Sequence, residues 1–227
     1  MPGREEVGEA VERVVGTVKP RLRGWLHAGT FPVAVVAGIV LVAVSPTERA
    51  RVATAVFALT AALLFGVSAA YHRFTWSPRA HAVLMRLDHS NIFLIIAGTY
   101  TPFGALLLPP SRGQVLLWTV WTGALLGVLF RVLWCDAPRW LYTPVYIALG
   151  WVAVFYVPEI LEHGGVAVLV LLVVGGALYS AGGLIYAARR PDPSPRWFGF
   201  HEVFHALTLA AFVVHYVAVS LVAYTSG

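Results

Sequence analysis

A chain of 227 residues that is 59% hydrophobic and only 12% charged is too apolar for a soluble domain, where about a quarter of residues carry charge. Its apolar residues come in long runs rather than in the alternation of a membrane barrel, so it reads as an all-α integral membrane protein. The formal charge of +5 does not call for nucleic acid, because Lys and Arg in such a chain mainly record topology. One cysteine, Cys135, excludes an internal disulfide and a cysteine-rich zinc site, so any metal must be held by His and carboxylates.

The first 25 residues, with Arg4, Glu5, Glu6, Glu9, Glu12 and Arg13, lack the apolar core of a signal peptide. They read as a cytoplasmic segment, either an amphipathic helix on the inner surface or a solvated face, ahead of one transmembrane domain over 26–227. Runs of about 20 apolar residues predict seven spans, at roughly 27–46, 50–72, 87–108, 114–134, 141–158, 166–188 and 201–224. Turn formers separate them: Ser45-Pro46, Ser77-Pro78, Pro109-Pro110, Pro138, Pro158 and the Pro191-Asp192-Pro193-Ser194-Pro195 run. The fifth is short and interrupted by Pro144, which leaves a six-span arrangement with a re-entrant segment as the alternative.

With the N-terminus inside, cytoplasmic segments hold Arg4, Arg13, Lys19, Arg21, Arg23, Arg73, Arg79, Arg86, Arg131, Arg139, Arg189, Arg190 and Arg196. The opposite side holds Arg49, Arg51 and Arg112. Thirteen against three is a strong positive-inside bias, and Glu159 and Glu162 fall in an outside loop without Lys or Arg. The expectation is seven helices with the N-terminus cytoplasmic and the C-terminus outside.

On this topology the polar residues gather at one depth. Ser68 and His72 end the second span, Asp88 opens the third, and His201 and His205 open the seventh. The pair His201-Glu202-Val203-Phe204-His205 puts two imidazoles four residues apart on one helix face, the spacing with which a helix holds a divalent metal. Ser68 and His72 share a face in the same way. Three imidazoles with a fourth position open are the ligand set of a catalytic zinc; an acidic neighbour such as Asp88 can accept a proton from the bound water, and Ser68 can hydrogen-bond a ligand or that water.

Each residue also has a plain structural reading: His72 as an interfacial side chain, Asp88 as a helix-start carboxylate. His89 is expected to point elsewhere, and His27, His81 and His163 to be interfacial or loop residues. His215 lies ten residues past His205, about 15 Å deeper by helical rise, too far to share the metal. A buried hydrogen bond or a polar role in a cavity suits it better.

Ser68-Ala69-Ala70-Tyr71-His72, Leu87-Asp88-His89-Ser90-Asn91-Ile92, Ala97-Gly98-Thr99-Tyr100-Thr101-Pro102 and the His201–His205 motif resemble the haemolysin III family, the bacterial branch of the progestin and adipoQ receptors. The resemblance runs from about residue 25 to 224. It implies a seven-helix fold with a cytoplasmic N-terminus and a zinc ion on three histidines, which map onto His72, His201 and His205. It also implies an aspartate touching the zinc-bound water, mapping onto Asp88, and a serine of the same site, mapping onto Ser68. The wider superfamily, which includes alkaline ceramidases, is associated with metal-dependent lipid amide hydrolysis. The animal receptors' long extramembrane domain has no counterpart here, which argues against hormone reception.

The leading expectation is therefore a zinc-dependent hydrolase of the bacterial cytoplasmic membrane, acting on an amide or acyl bond of a membrane lipid. The Thr99-Tyr100-Thr101-Pro102 step is expected to bend the third span and open a cavity for an acyl chain. The alternatives are a receptor-like sensor or a cytolysin with structural zinc. An intramembrane metalloprotease using Glu202 as base is the remaining reading, although nothing acidic follows Glu202 to serve as a third ligand.

Overall fold

The protein's structure, a computed structural model, describes residues 20–134 and 137–226. Most of the expected N-terminal segment, residues 1–19, and Cys135 lie outside the described residues. The fold is all-helical, because a chain surrounded by lipid must satisfy its backbone hydrogen bonds within each segment. In chain order the helices are α1 (Trp25–Val44), α2 (Glu48–Arg73), α3 (Pro78–Pro102), α4 (Pro110–Leu133), α5 (Arg139–Gly150), α6 (Val157–Ala188) and α7 (Phe200–Tyr224). Among the described residues, six stretches are long and apolar enough to cross a membrane, with Arg139–Ala188 counted as one. This is a multi-pass membrane protein.

Local chemistry sets the helix starts. Thr47 accepts the Ala50 N–H at the head of α2 (3.1 Å), and Ser77 accepts that of Ala80 before α3, whose first residue is Pro78. The third helix thus begins nine residues earlier than the hydropathy run, which Arg79, His81 and Arg86 had masked. Asp88 consequently sits in the third turn of α3 and is not its cap. At the other end, α3 runs through Pro102 into a π-helical turn, Phe103–Leu107.

The 50-residue stretch from Arg139 to Ala188 is not one rod. α5 stops at Gly150, a 3₁₀ segment covers Val152–Tyr156, and Gly165 breaks α6 with φ 73° and ψ 177°. Its two ends meet: Arg139 Nη1 donates to the Tyr186 carbonyl (3.0 Å), and Trp151 Nε1 donates to Ser180 Oγ (2.9 Å). The stretch therefore doubles back on itself. At the break, the Tyr100 hydroxyl donates to the Gly150 carbonyl (2.6 Å) and accepts the Ala153 N–H (2.9 Å), so a side chain of α3 supplies what the interrupted helix lacks.

Each helix packs mainly on its chain neighbours, α1 also packs on α7, and α3 touches α2, α4, α5 and α7. Small residues allow these approaches. A Cβ on Gly98 would lie 2.0 Å from Thr60 Oγ1, and one on Gly127 would lie 2.3 Å from the Phe93 ring. Phe57, Phe65, Phe93 and Phe212 fill the interior, with Phe65 and Phe212 edge to face at 5.0 Å.

Two charge assignments change. Arg131, expected in a cytoplasmic connection, is only 2% exposed; its Nη2 lies 2.7 Å from His89 Nδ1 and its guanidinium 4.4 Å from the Tyr142 ring centre. Glu159 is in the first turn of α6 and not in a loop, and it binds Arg112 (2.7 Å), which stands near the start of α4.

Candidate metal centre

Three helices deliver the site. The last turn of α2 carries His72, and Ser68 sits one turn earlier on the same face, both buried. The first two turns of α7 carry His201 and His205. α3 brings Asp88 alongside, its side chain 11% exposed.

His72 Nε2 and His201 Nε2 are 3.2 Å apart, and ring nitrogens of His72, His201 and His205 all lie within 4.8 Å of one another. Tetrahedral zinc with nitrogen ligands near 2.05 Å needs nitrogens separated by about 3.3 Å. The closest pair already has that spacing, and an all-imidazole set suits zinc. Asp88 Oδ2 lies 3.7 Å from His72 Nε2, and Ser68 is within hydrogen-bonding reach of the Asp88 carboxylate. All five residues named from the sequence come together.

Glu202 faces a different task. It is 2% exposed; Oε2 accepts the Gly199 N–H (2.8 Å), closing the start of α7, and Oε1 binds Arg23 Nε. Arg23 belongs to a strap before α1 that is laced to the approach to α7 by Arg21 N–H to Arg196 C=O (3.0 Å) and Leu22 N–H to Trp197 C=O (3.2 Å). Gly24 follows in the left-handed region (φ 78°), and a Cβ there would come within 2.6 Å of His72 Cβ. Nothing local in the sequence announces this strap, since Arg23 and Glu202 are 179 residues apart.

His27 corrects another expectation. It is not interfacial but 2% exposed, stacked on His205 with ring centres 3.9 Å apart and planes at 5°, and edge-on to Phe65. Neither of its ring nitrogens has a hydrogen-bond partner among the described residues. His89 turns toward Arg131, as expected of a residue pointing elsewhere. His81 is exposed beside Tyr71, and His163 is an exposed residue of α6 bonded to the Glu159 carbonyl (2.9 Å). His215 is buried, with Nε2 3.3 Å from the Leu172 carbonyl.

A cavity of about 170 Å³ starts at this cluster and continues down the bundle. Ser68, Asp88, His201 and His205 line it, as do Thr99, Tyr100 and Phe103 beside the Pro102 step, and Ile160 in the first turn of α6. Apart from these polar groups its wall is mostly aliphatic and aromatic, so it offers a metal-binding set at the head of an apolar channel.

A family model described as Haemolysin-III related matches residues 15–216. The chain is 34% identical over 140 residues to Hemolysin-3 of Bacillus cereus, covering 62% of this chain and 64% of that protein, just under two thirds of its length. It is also 34% identical over 149 residues to the Hemolysin-3 homolog of Bacillus subtilis (strain 168), covering 64% and 68%. Over 184 residues it is 31% identical to the Heptahelical transmembrane protein ADIPOR2 of Oryza sativa subsp. japonica, covering 73% and 80%. The chain belongs to the haemolysin III family, within the adiponectin-receptor-like superfamily.

Proposed function

We propose that His72, His201 and His205 hold a zinc ion and that the protein hydrolyses an amide or acyl bond of a membrane lipid. The observation that carries this reading is the convergence of three imidazoles, a carboxylate and a hydroxyl at the head of an apolar cavity. Zinc bound there supplies Lewis acidity toward a carbonyl and an acidified water near neutral pH. Asp88 takes the proton of the attacking water on its carboxylate and returns it to the departing amine or alcohol. Ser68 orients that carboxylate by a hydrogen bond. His27 and Phe65 close the back of the site against water, and the apolar wall below receives the lipid chain.

The same reading takes the 50-residue stretch as two crossings. Fully helical it would be about 75 Å long, more than twice a hydrocarbon core of about 30 Å. The Arg139–Tyr186 contact supports a return to the starting side, and a rice relative named heptahelical supports the count. With seven crossings, the positive-inside bias favours a cytoplasmic N-terminus and histidine cluster and an outside C-terminus, in the inner membrane of a bacterium.

Both oxygens of Glu202 are engaged with Gly199 and Arg23, which counts against its service as a protease base. A non-catalytic role, as a sensor or cytolysin with structural zinc, is favoured by one observation: the three histidines come from α2 and α7, so a metal held by them would tie the two helices together. Elemental mass spectrometry on the detergent-purified protein, beside His72→Ala and His201→Ala, tests the core of the proposal. Near-stoichiometric zinc lost in both variants supports a shared site, and absence of zinc from folded parent protein removes the hydrolase reading. A folded but inactive metal-free protein then favours catalysis, whereas a metal-free protein that unfolds favours the structural role.

A further inference from the structure

Well below the histidine cluster the cavity carries polar groups that the proposed chemistry does not use. His215 stands ten residues beyond His205 on α7, about 15 Å deeper by helical rise, and is 8% exposed. The niche for its imidazole is built by Gly175 of α6, where a Cβ would come within 2.2 Å of His215 Nε2. With Nε2 donating to the Leu172 carbonyl at 3.3 Å, Nδ1 is left as an acceptor, and it has no partner among the described residues. One turn along α6 from Gly175, the Tyr179 ring centre lies 5.6 Å from that of His215, and its buried hydroxyl also lacks a partner among the described residues.

Both side chains line the cavity. Buried acceptors and hydroxyls are costly to leave unpaired, so such a pair in an otherwise apolar wall calls for an occupant. Among the described residues no Lys or Arg lines the cavity, which disfavours an anionic group at the depth of His215. A single hydroxyl suits both partners, donating to His215 Nδ1 while accepting from the Tyr179 O–H.

We propose that His215 and Tyr179 read a hydroxyl group on the lipid chain, so that the cavity selects lipids hydroxylated well away from the bond to be cut. This rests on the reading of the cavity as a lipid-chain site. An unsubstituted chain would fill the same space while leaving both polar atoms unpaired, and discrimination follows from that difference.

The test is competitive binding to the full-length protein in detergent, followed by native mass spectrometry. The probes are stearate and its hydroxylated isomers, with the hydroxyl beside the carboxylate, in mid-chain or at the chain end. The parent is expected to prefer the mid-chain isomer over stearate by roughly three- to tenfold, the worth of one net hydrogen bond. Tyr179→Phe and His215→Leu are expected to bring that preference to near unity, with stearate bound more tightly than by the parent because a buried polar atom no longer goes unpaired. Because Tyr179→Phe removes one oxygen from the surface of a cavity, it carries the test if His215→Leu fails to fold. Equal binding of stearate and all isomers by the parent overturns the inference and leaves these atoms to ordered water, as does a preference that survives Tyr179→Phe. Binding of no fatty acid at all overturns the lipid cavity itself, and the hydroxyl reader with it.

Discussion

The start of α7 and its middle hold histidines in unequal company, although His205 and His215 are both buried. Near Gly199, His201 and His205 meet His72 from α2, with the closest nitrogens 3.2 Å apart and all three within 4.8 Å, and Asp88 stands 3.7 Å from His72. Three turns deeper, His215 has one backbone carbonyl and no second imidazole among its described contacts. Burial makes an imidazole demanding in both places. Only convergence of a second helix turns that demand into a donor set for a metal.

The sharpest way to break the comparison is to remove a donor from each place. His72→Ala and His201→Ala are each expected to abolish stoichiometric zinc, read by elemental mass spectrometry, while His215→Leu keeps it; equal loss in all three would erase the distinction between the two places. Next in size is Asp88→Asn, expected to keep the metal and lower lipid hydrolysis by about two to four orders of magnitude, the usual contribution of a positioned proton acceptor. Lost zinc in that variant would recast Asp88 as part of the metal-holding set.

Smaller effects probe the scaffold around the site. Arg23→Ala leaves the 2%-exposed Glu202 without its cation and is expected to cost about 2 kcal/mol in unfolding stability, below the range for fully enclosed pairs because Arg23 is 19% exposed. Glu202→Gln is expected to keep most of the hydrolysis, which a protease-type base would not. The smallest effect is expected at His27: Phe preserves the stack on His205 and changes metal retention little, whereas Ala opens a void between Phe65 and His205 and loosens it. Metal off-rates in the two variants distinguish these outcomes.

The apolar runs and the pairs Ser68/His72 and His201/His205, spaced by four, were legible in the sequence because those signals are local, whereas Asp88 was picked out by its expected depth alone. The start of α3 was not, since Arg79, His81 and Arg86 depress the hydropathy of turns that Ser77 and Pro78 nevertheless initiate. The gap expected between 141–158 and 166–188 coincides with the break at Gly165, whereas the stop at Gly150, completed by a borrowed Tyr100 hydroxyl, falls inside the expected fifth span. His27 looked like an interfacial residue two positions into an apolar run. Its partner, His205, lies on the last helix, a pairing that spacing cannot encode.

The strap that joins Arg23 to Glu202 also has a bearing on biosynthesis. The halves of that pair are separated by 179 residues, and the site's own donors span His72 to His205. A growing chain therefore inserts every earlier helix before the three histidines can come together. Until α7 follows, His72 and Asp88 stand without His201 and His205, and the final helix is the step that both gathers the three imidazoles and supplies Glu202 to Arg23.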